Sequence, residues 1–360
     1  METIPYLETI PKLQGGYQMK YKNFYFVGLL LGLLIVVISG CGSNDSKTSG
    51  SSGDNYTIDE ITISHVAPEN TAKHAGSIAM KEKIEELSNG EIEVKVYSNS
   101  SLYSDNDEIE NLMSNNVQFI LPDMSKLVGY EPAFDIASLP LAFSSDEAAT
   151  GFWDGEYGQD IMKRIEKEGV KALTMWPNGF RVITNDTRLI QSPEDYKGLK
   201  IRTSSGEVLA EAFDVLGAST VSIAFDEVYT ALQQGTVDGQ ENTLSSVASA
   251  NFDEVQDYLT INNFSRVDYV LLTNNEFWET LDDKTKEVVQ AGIDAGTETA
   301  REEVERLNED GLKAMEERGQ IEIYELTESD KEEFRKLFEP VYDKYAPIFG
   351  EEVIEDAMSR

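Results

Sequence analysis

A single cysteine, Cys41, stands in a chain of 360 residues. One cysteine precludes an internal disulfide and leaves no thiol for catalysis in the folded part. Histidine is almost as scarce. His65 and His74 are nine residues apart and have no cysteine nearby, which is poor spacing for a metal site. Basic residues are also short, with 30 Lys and Arg against 66 Asp and Glu and a formal net charge of −36. Duplex affinity comes largely from neutralised phosphates, so this balance argues against nucleic-acid binding. The overall field does not draw in an anion either, so an anion site must be local, built from a few arginines inside a cleft. The sequence has no G-x-S-x-G, no phosphate loop and no internal repeat. Neither histidine lies near a plausible nucleophile, and no cofactor or metal is expected.

Long apolar runs are confined to one place. From Met19 the chain reads MKYKNFYFVGLLLGLLIVVISGC, with Lys20 and Lys22 ahead of an apolar run from Phe24 to Ile38. That run is only about fifteen residues and ends in small residues, the layout of a secretory signal rather than a membrane span. Ile38-Ser39-Gly40-Cys41 resembles the lipobox of bacterial lipoproteins, which implies lipidation of Cys41 and loss of residues 1–40. Met19 is the more natural start codon. The Gly/Ser/Asn/Asp-rich stretch over 41–55 reads as a tether. The protein is therefore expected outside the cell, lipid-anchored to the outer face of the cytoplasmic membrane. The remainder, from Tyr56 to Arg360, is long enough for two lobes.

Strand and helix signals alternate along that remainder. Thr57–His65 reads as a strand, and Lys73–Leu87 as a helix closed by Asn89-Gly90. Glu91–Tyr97 alternates as a half-buried strand does, Asp107–Met113 is helical and Val117–Leu121 is a short apolar strand. This order implies a parallel sheet with helices on its faces. Ser144–Glu147 has the form of a capping box, and Ser192-Pro193-Glu194-Asp195 fits a second helix start. Val170–Trp176 and Arg181–Thr184 read as strands. Gly217 and Gly235 sit where glycine C-caps sit. Asp282–Gly319 is a long charged helix or a helix pair, and Thr327–Asp330 caps a terminal helix.

The stretch from Pro193 to Asn242 is the most informative. It places Arg202 at the end of a strand (LKIRT), with no nucleophile, metal ligand set or phosphate loop beside it. The planar fork of donors on arginine matches a carboxylate in two parallel hydrogen bonds. Ligands of open α/β sheets bind at such strand ends, so capture of an anion is favoured over its conversion.

Several blocks together resemble the solute-binding proteins of tripartite ATP-independent periplasmic (TRAP) transporters, of the DctP type. They are SHVAPENTAKH, LYSDNDEIENL, FDIASLPLAF, NGFRVITN, SPEDYKGLKIRT, VSIAFDEVYTALQQGTVDGQEN and FDEVQDYLT, spread over about residues 56–300. Asp226 stands where the family usually has serine, and Thr243 where it usually has proline. The resemblance implies an α/β fold of the type II periplasmic-binding-protein-like class. Each of its two lobes would be a mixed, mainly parallel sheet flanked by helices, with a long helix spanning both. The lobes would comprise 56–180 with about 268–307, and 181–267 with about 308–360. It implies a non-enzymatic monomer that closes around a small organic acid and delivers it to a two-component membrane permease.

On that resemblance Arg202 forms a two-pronged salt bridge with the ligand carboxylate, and Arg181 is a second basic residue facing it. Asn242, neutral and able to donate and accept, would orient the same group. Phe225 is either a cleft wall or an ordinary core residue, and Trp176 likewise. From the first lobe, His65 either reaches the ligand or is structural, and Tyr103 is a candidate for the cleft edge. Lys73 is the candidate for a second carboxylate, because its block is similar to members that take four-carbon dicarboxylates. Glu241 reads as a structural acid. Sugar acids, keto acids and aromatic acids remain open as ligands, as does a sensor role beside a receptor kinase. A secreted hydrolase is the least favoured reading, although paired carboxylates abound.

Overall fold

The computed structural model describes residues 56–360; the signal, lipobox and tether expectations, including Cys41, lie outside them. The first strands and helices are β1 (Glu60–Ser64), α1 (Ala72–Leu87), β2 (Glu93–Tyr97), α2 (Glu108–Met113) and β3 (Phe119–Ile120). After turns at Met124–Leu127 and Pro132–Ser138 come α3 (Asp146–Asp154), α4 (Glu156–Arg164) and β4 (Val170–Phe180). The middle of the chain supplies β5 (Val182–Asn185), β6 (Lys200–Thr203), α5 (Glu207–Val215), β7 (Ser219–Ser222), α6 (Val228–Gln233), β8 (Gly239–Asn242), α7 (Leu244–Ser249) and β9 (Tyr258–Ile261). The remainder is β10 (Arg266–Asn274), α8 (Asn275–Thr280), α9 (Asp283–Arg318), β11 (Glu322–Glu325), α10 (Glu328–Phe349) and α11 (Glu351–Ser359).

These strands form two mixed sheets. The first has the order β2-β1-β3-β10-β4 and the second β11-β9-β5-β8-β6-β7. Parallel pairs join β1 to β2 and β3 in one sheet and β6 to β7 and β8 in the other. The chain passes between the sheets at Phe180–Arg181 and again at Ser265–Arg266. There the Arg181 N–H donates to the carbonyl of Ser265 at 2.8 Å. Arg266 and Val267 belong to the first sheet, pairing with Phe180 and Gly179, slightly earlier than the expected boundary near 268. β11 pairs with β9 in the second sheet, while the last residue reaches back to the region of α3. The Arg360 carbonyl accepts from Ser144 at 3.1 Å, and its guanidinium donates to Gly151 O at 2.8 Å.

One unbroken helix, not a pair, runs from Asp283 to Arg318. Asp282 caps its start by accepting from the Thr285 N–H, and Gly319, at φ +61°, ends it in the left-handed conformation glycine adopts readily. At about 1.5 Å per residue such a helix is about 54 Å long, enough to serve both sheets. Its first half lies against α1 so closely that a Cβ on Gly76 would stand 2.7 Å from Gly296 O. Its second half meets α7, where Asn308 accepts from Ser245 N–H and donates to Asn178 O.

Smaller expectations shift by a residue. Ser145, not Ser144, caps α3, through the N–H of Ala148. The Pro193 start yields only a single 3₁₀ turn, Pro193–Tyr196, with Asp195 accepting from Ser192. Tertiary pairing limits the strand expected over 117–121 to two residues.

Candidate functional site

A cavity whose space, including its solvent-open mouth, is about 410 Å³ lies where residues of the two sheets meet. Four cationic side chains, Lys73, Lys126, Arg181 and Arg202, line it against two carboxylates, Asp105 and Asp123. In a chain of net charge −36 this is a local reversal of sign. Because such a field survives only at short range in salt water, it acts on a small bound anion rather than at a distance.

The second sheet supplies the arginine wall. β6 is central, paired with β7 and β8, so Ile201 faces the apolar core and Arg202 faces the opposite way. Arg202 is 1% exposed. Its Nε donates to Ile223 O at 2.9 Å, while NH1 stands 3.8 Å from Glu241 Oε1, beyond a hydrogen bond. Burial lowers its pKa, opposed by Glu241 and Asp105, but arginine stays charged in any protein interior. Arg181 at the crossover donates Nε to Arg266 O at 2.9 Å and pairs with Glu241, with Asp123 at 3.6 Å. Burial works against its charge, yet Glu241 and Asp123 outweigh it and leave the pKa raised. Glu241, which also accepts from Ser204 N–H at 3.0 Å, ties the two arginines together. Asn242, next along β8, accepts from Thr243 N–H and lines the cavity.

The first sheet supplies the lysine wall. Lys73 in the first turn of α1 is fully buried; its Nζ donates to Leu121 O at 2.8 Å and stands 3.4 Å from the centre of the Tyr269 ring. Lys126 pairs with Asp105 at 2.6 Å. Burial alone would raise Asp105, but Lys126 and the Phe225 N–H hold its carboxyl below the usual range. That Phe225 contact, with Ser204 Oγ to Asp123 at 3.2 Å and to Ser125 Oγ at 3.0 Å, joins the walls. Among the described residues there is no cluster of metal-ligating side chains, and no histidine lines the cavity.

The matching family model is "Bacterial extracellular solute-binding protein, family 7" (DctP), over residues 63–347. This chain belongs to the DctP family. The C4-dicarboxylate-binding protein DctB of Bacillus subtilis is 35% identical over 296 residues, which is 82% of this chain and 85% of that one. The C4-dicarboxylate-binding periplasmic protein DctP of Rhodobacter capsulatus is 34% identical, covering 82% and 88%. Among solved structures, a TRAP periplasmic solute-binding protein of Shewanella oneidensis with bound succinate superposes with a TM-score of 0.81 at 33% identity, covering 83% and 98%. The galactonate complex of DctPAm from Advenella mimigardefordensis gives 0.79 at 29%, covering 83% and 96%. The two-lobed α/β fold of type II follows from these likenesses, and the family is one of solute-binding proteins rather than enzymes.

Within this DctP protein the cavity brings together five of the eight residues singled out from sequence: Arg202, Arg181, Asn242, Phe225 and Lys73. Phe225 resolves both of its alternatives, since its ring also packs on Phe252 at 5.8 Å. The other three do not line it. Trp176 is 0% exposed in the apolar core, with its indole N–H donated to Thr297; it shares a sheet face with its cross-strand partner Tyr269, but α1 and α9 cover it. His65 is fully buried, with Nε2 3.2 Å from His74 Nδ1, and burial depresses its pKa. Tyr103 is half-buried and packs against the core. The cavity also contains Lys126, Asp105, Asp123, Ser204 and Tyr269. Asp105 stands inside a quoted family block, whereas Lys126 and Asp123 lie in PDMSKL, which carries no local signal.

Proposed function

We propose that the protein captures a four-carbon dicarboxylate and hands it to a membrane permease. The observation that carries this reading is the pair of cationic walls. Arg202 and Arg181, with Asn242, face one end of the cavity, and Lys73 and Lys126 stand on the other sheet. A solute with a carboxylate at each end bridges them and draws the lobes together, since only contacts from both lobes favour the closed form. The dicarboxylate-binding relatives and the succinate complex support this assignment.

Succinate, malate or fumarate at about a hundredfold excess over Kd is expected to add about 2.7 kcal/mol of stability, seen as a rise of several degrees in a thermal-shift assay. Stabilisation by galactonate or glucuronate with none from the dicarboxylates would defeat the assignment in favour of a sugar acid.

The proposal extends to the membrane anchor at Cys41, which lets a solute-loaded protein diffuse beside its permease. Cys41→Ser is expected to move most of the protein from the membrane fraction to the medium, as judged by fractionation and immunoblot. Retention in the membrane at the parental level would mean that the apolar run itself is the anchor.

A further inference from the structure

Glu108 opens α2 one turn after Asp105, the partner of Lys126, and it is 0% exposed. Neither of its carboxyl oxygens has a hydrogen-bond partner. An ionised carboxylate in such a place forfeits its hydration without replacement, at a cost of several kcal/mol. A neutral carboxylic acid forfeits far less. The charged groups around it come from four places. They are Lys73 on α1, Asp105 on the preceding loop, Lys126 on the turn Met124–Leu127, and exposed Asp226 on the second sheet's side of the cleft.

We propose that Glu108 carries a proton in the capture-ready protein, and that losing this proton to solvent turns the carboxyl into a competitor of the solute for Lys73. The inference rests on the dicarboxylate reading above. Burial drives the Glu108 pKa well up, with Lys73 opposing. Lys73 is itself lowered by burial. Its donation to Leu121 O and its seat on the Tyr269 ring nonetheless favour the ammonium form, so the carboxyl is the group that titrates. Asp105 stays ionised beside Lys126. His65 and His74, both lowered by burial, are neutral throughout the alkaline range.

The sign follows by linkage. A dianion seated by Lys73 makes the Glu108 proton harder to remove, so solute and proton bind together. Affinity is therefore highest where Glu108 is protonated and falls as pH rises through the range in which the free protein loses that proton. Succinate is itself fully ionised there, so the change belongs to the protein.

The test is calorimetric titration of the full-length protein with succinate at about pH 7 and about pH 9, alongside Glu108→Gln. One linked proton limits the loss to about tenfold per pH unit. The parent is expected to weaken by roughly tenfold over this range, and Glu108→Gln by less than about twofold. An infrared difference spectrum of the parent under mildly alkaline conditions is expected to gain the C=O stretch of a protonated carboxyl on adding succinate. Glu108→Gln should show no such gain.

The infrared measurement on the parent stands even if the variant does not fold. Succinate binding without that gain, or with the same pH dependence in Glu108→Gln, overturns the role of Glu108 and leaves the dicarboxylate reading intact. Failure of succinate to bind at either pH overturns both.

Discussion

Arg202→Ala is expected to weaken succinate binding by two to four orders of magnitude while the protein still folds. The loss follows from two charge-assisted hydrogen bonds, worth about 1.5–3 kcal/mol each, with every 1.4 kcal/mol counting tenfold. Survival of the fold follows from what Arg202 holds. Its protein contacts are one donation to Ile223 O and a distant approach to Glu241. Glu241 keeps Arg181 and the Ser204 N–H when Arg202 is gone. Arg181 is a poorer probe, because its removal strips the buried Glu241 of its cation and confuses folding with binding. Calorimetric titration with succinate, beside thermal denaturation of the unliganded protein, separates the two effects. A variant that binds within about threefold of the parent would place the solute elsewhere.

Trp176→Ala should do the opposite, costing stability and sparing the site. The ring fills the crossing of α1 and α9: Cβ atoms on Gly76 and Gly296 would stand 2.8 and 3.0 Å from it. Its indole N–H is satisfied by Thr297 Oγ1 at 2.9 Å. Removing a buried tryptophan leaves a cavity, while Thr297 keeps its donation to Ile293 O, so a loss of about 3–5 kcal/mol is expected. Denaturant titration measures it, and succinate affinity in the surviving folded fraction should stay within about threefold. Unchanged stability with lost binding would restore Trp176 to the cleft wall, against its burial here.

These two residues show where legibility from sequence ends. Arg202 could be singled out because its signal is local: a strand, an arginine one residue before the strand's end, then a glycine-bearing turn into a helix. α1 and α9 were legible for the same reason, through apolar spacing and through Asp282 and Gly319 at the ends of α9. Trp176 was ambiguous because a strand residue points to one of two faces. Whether its place on that face is dry depends on α1 and on a helix more than a hundred residues later in the chain. Lys126 carried no mark at all. It became part of the site only when its turn met Asp105, and Asp105 reached across to the Phe225 N–H.

By composition and local pattern, this chain was legible as alternating strands and helices, as a molecule whose overall charge draws in no anion, and as the bearer of an arginine at a strand end suited to gripping one. These depend on propensity, periodicity and side-chain chemistry, all of which act over a few residues. Folding in three dimensions decided which side chains face the cavity, how Glu241 bridges the arginines, and that Glu108 is buried without a partner. Those outcomes depend on burial and on contacts between residues far apart in the chain, and neither exists until the sheets, α1 and α9 have packed.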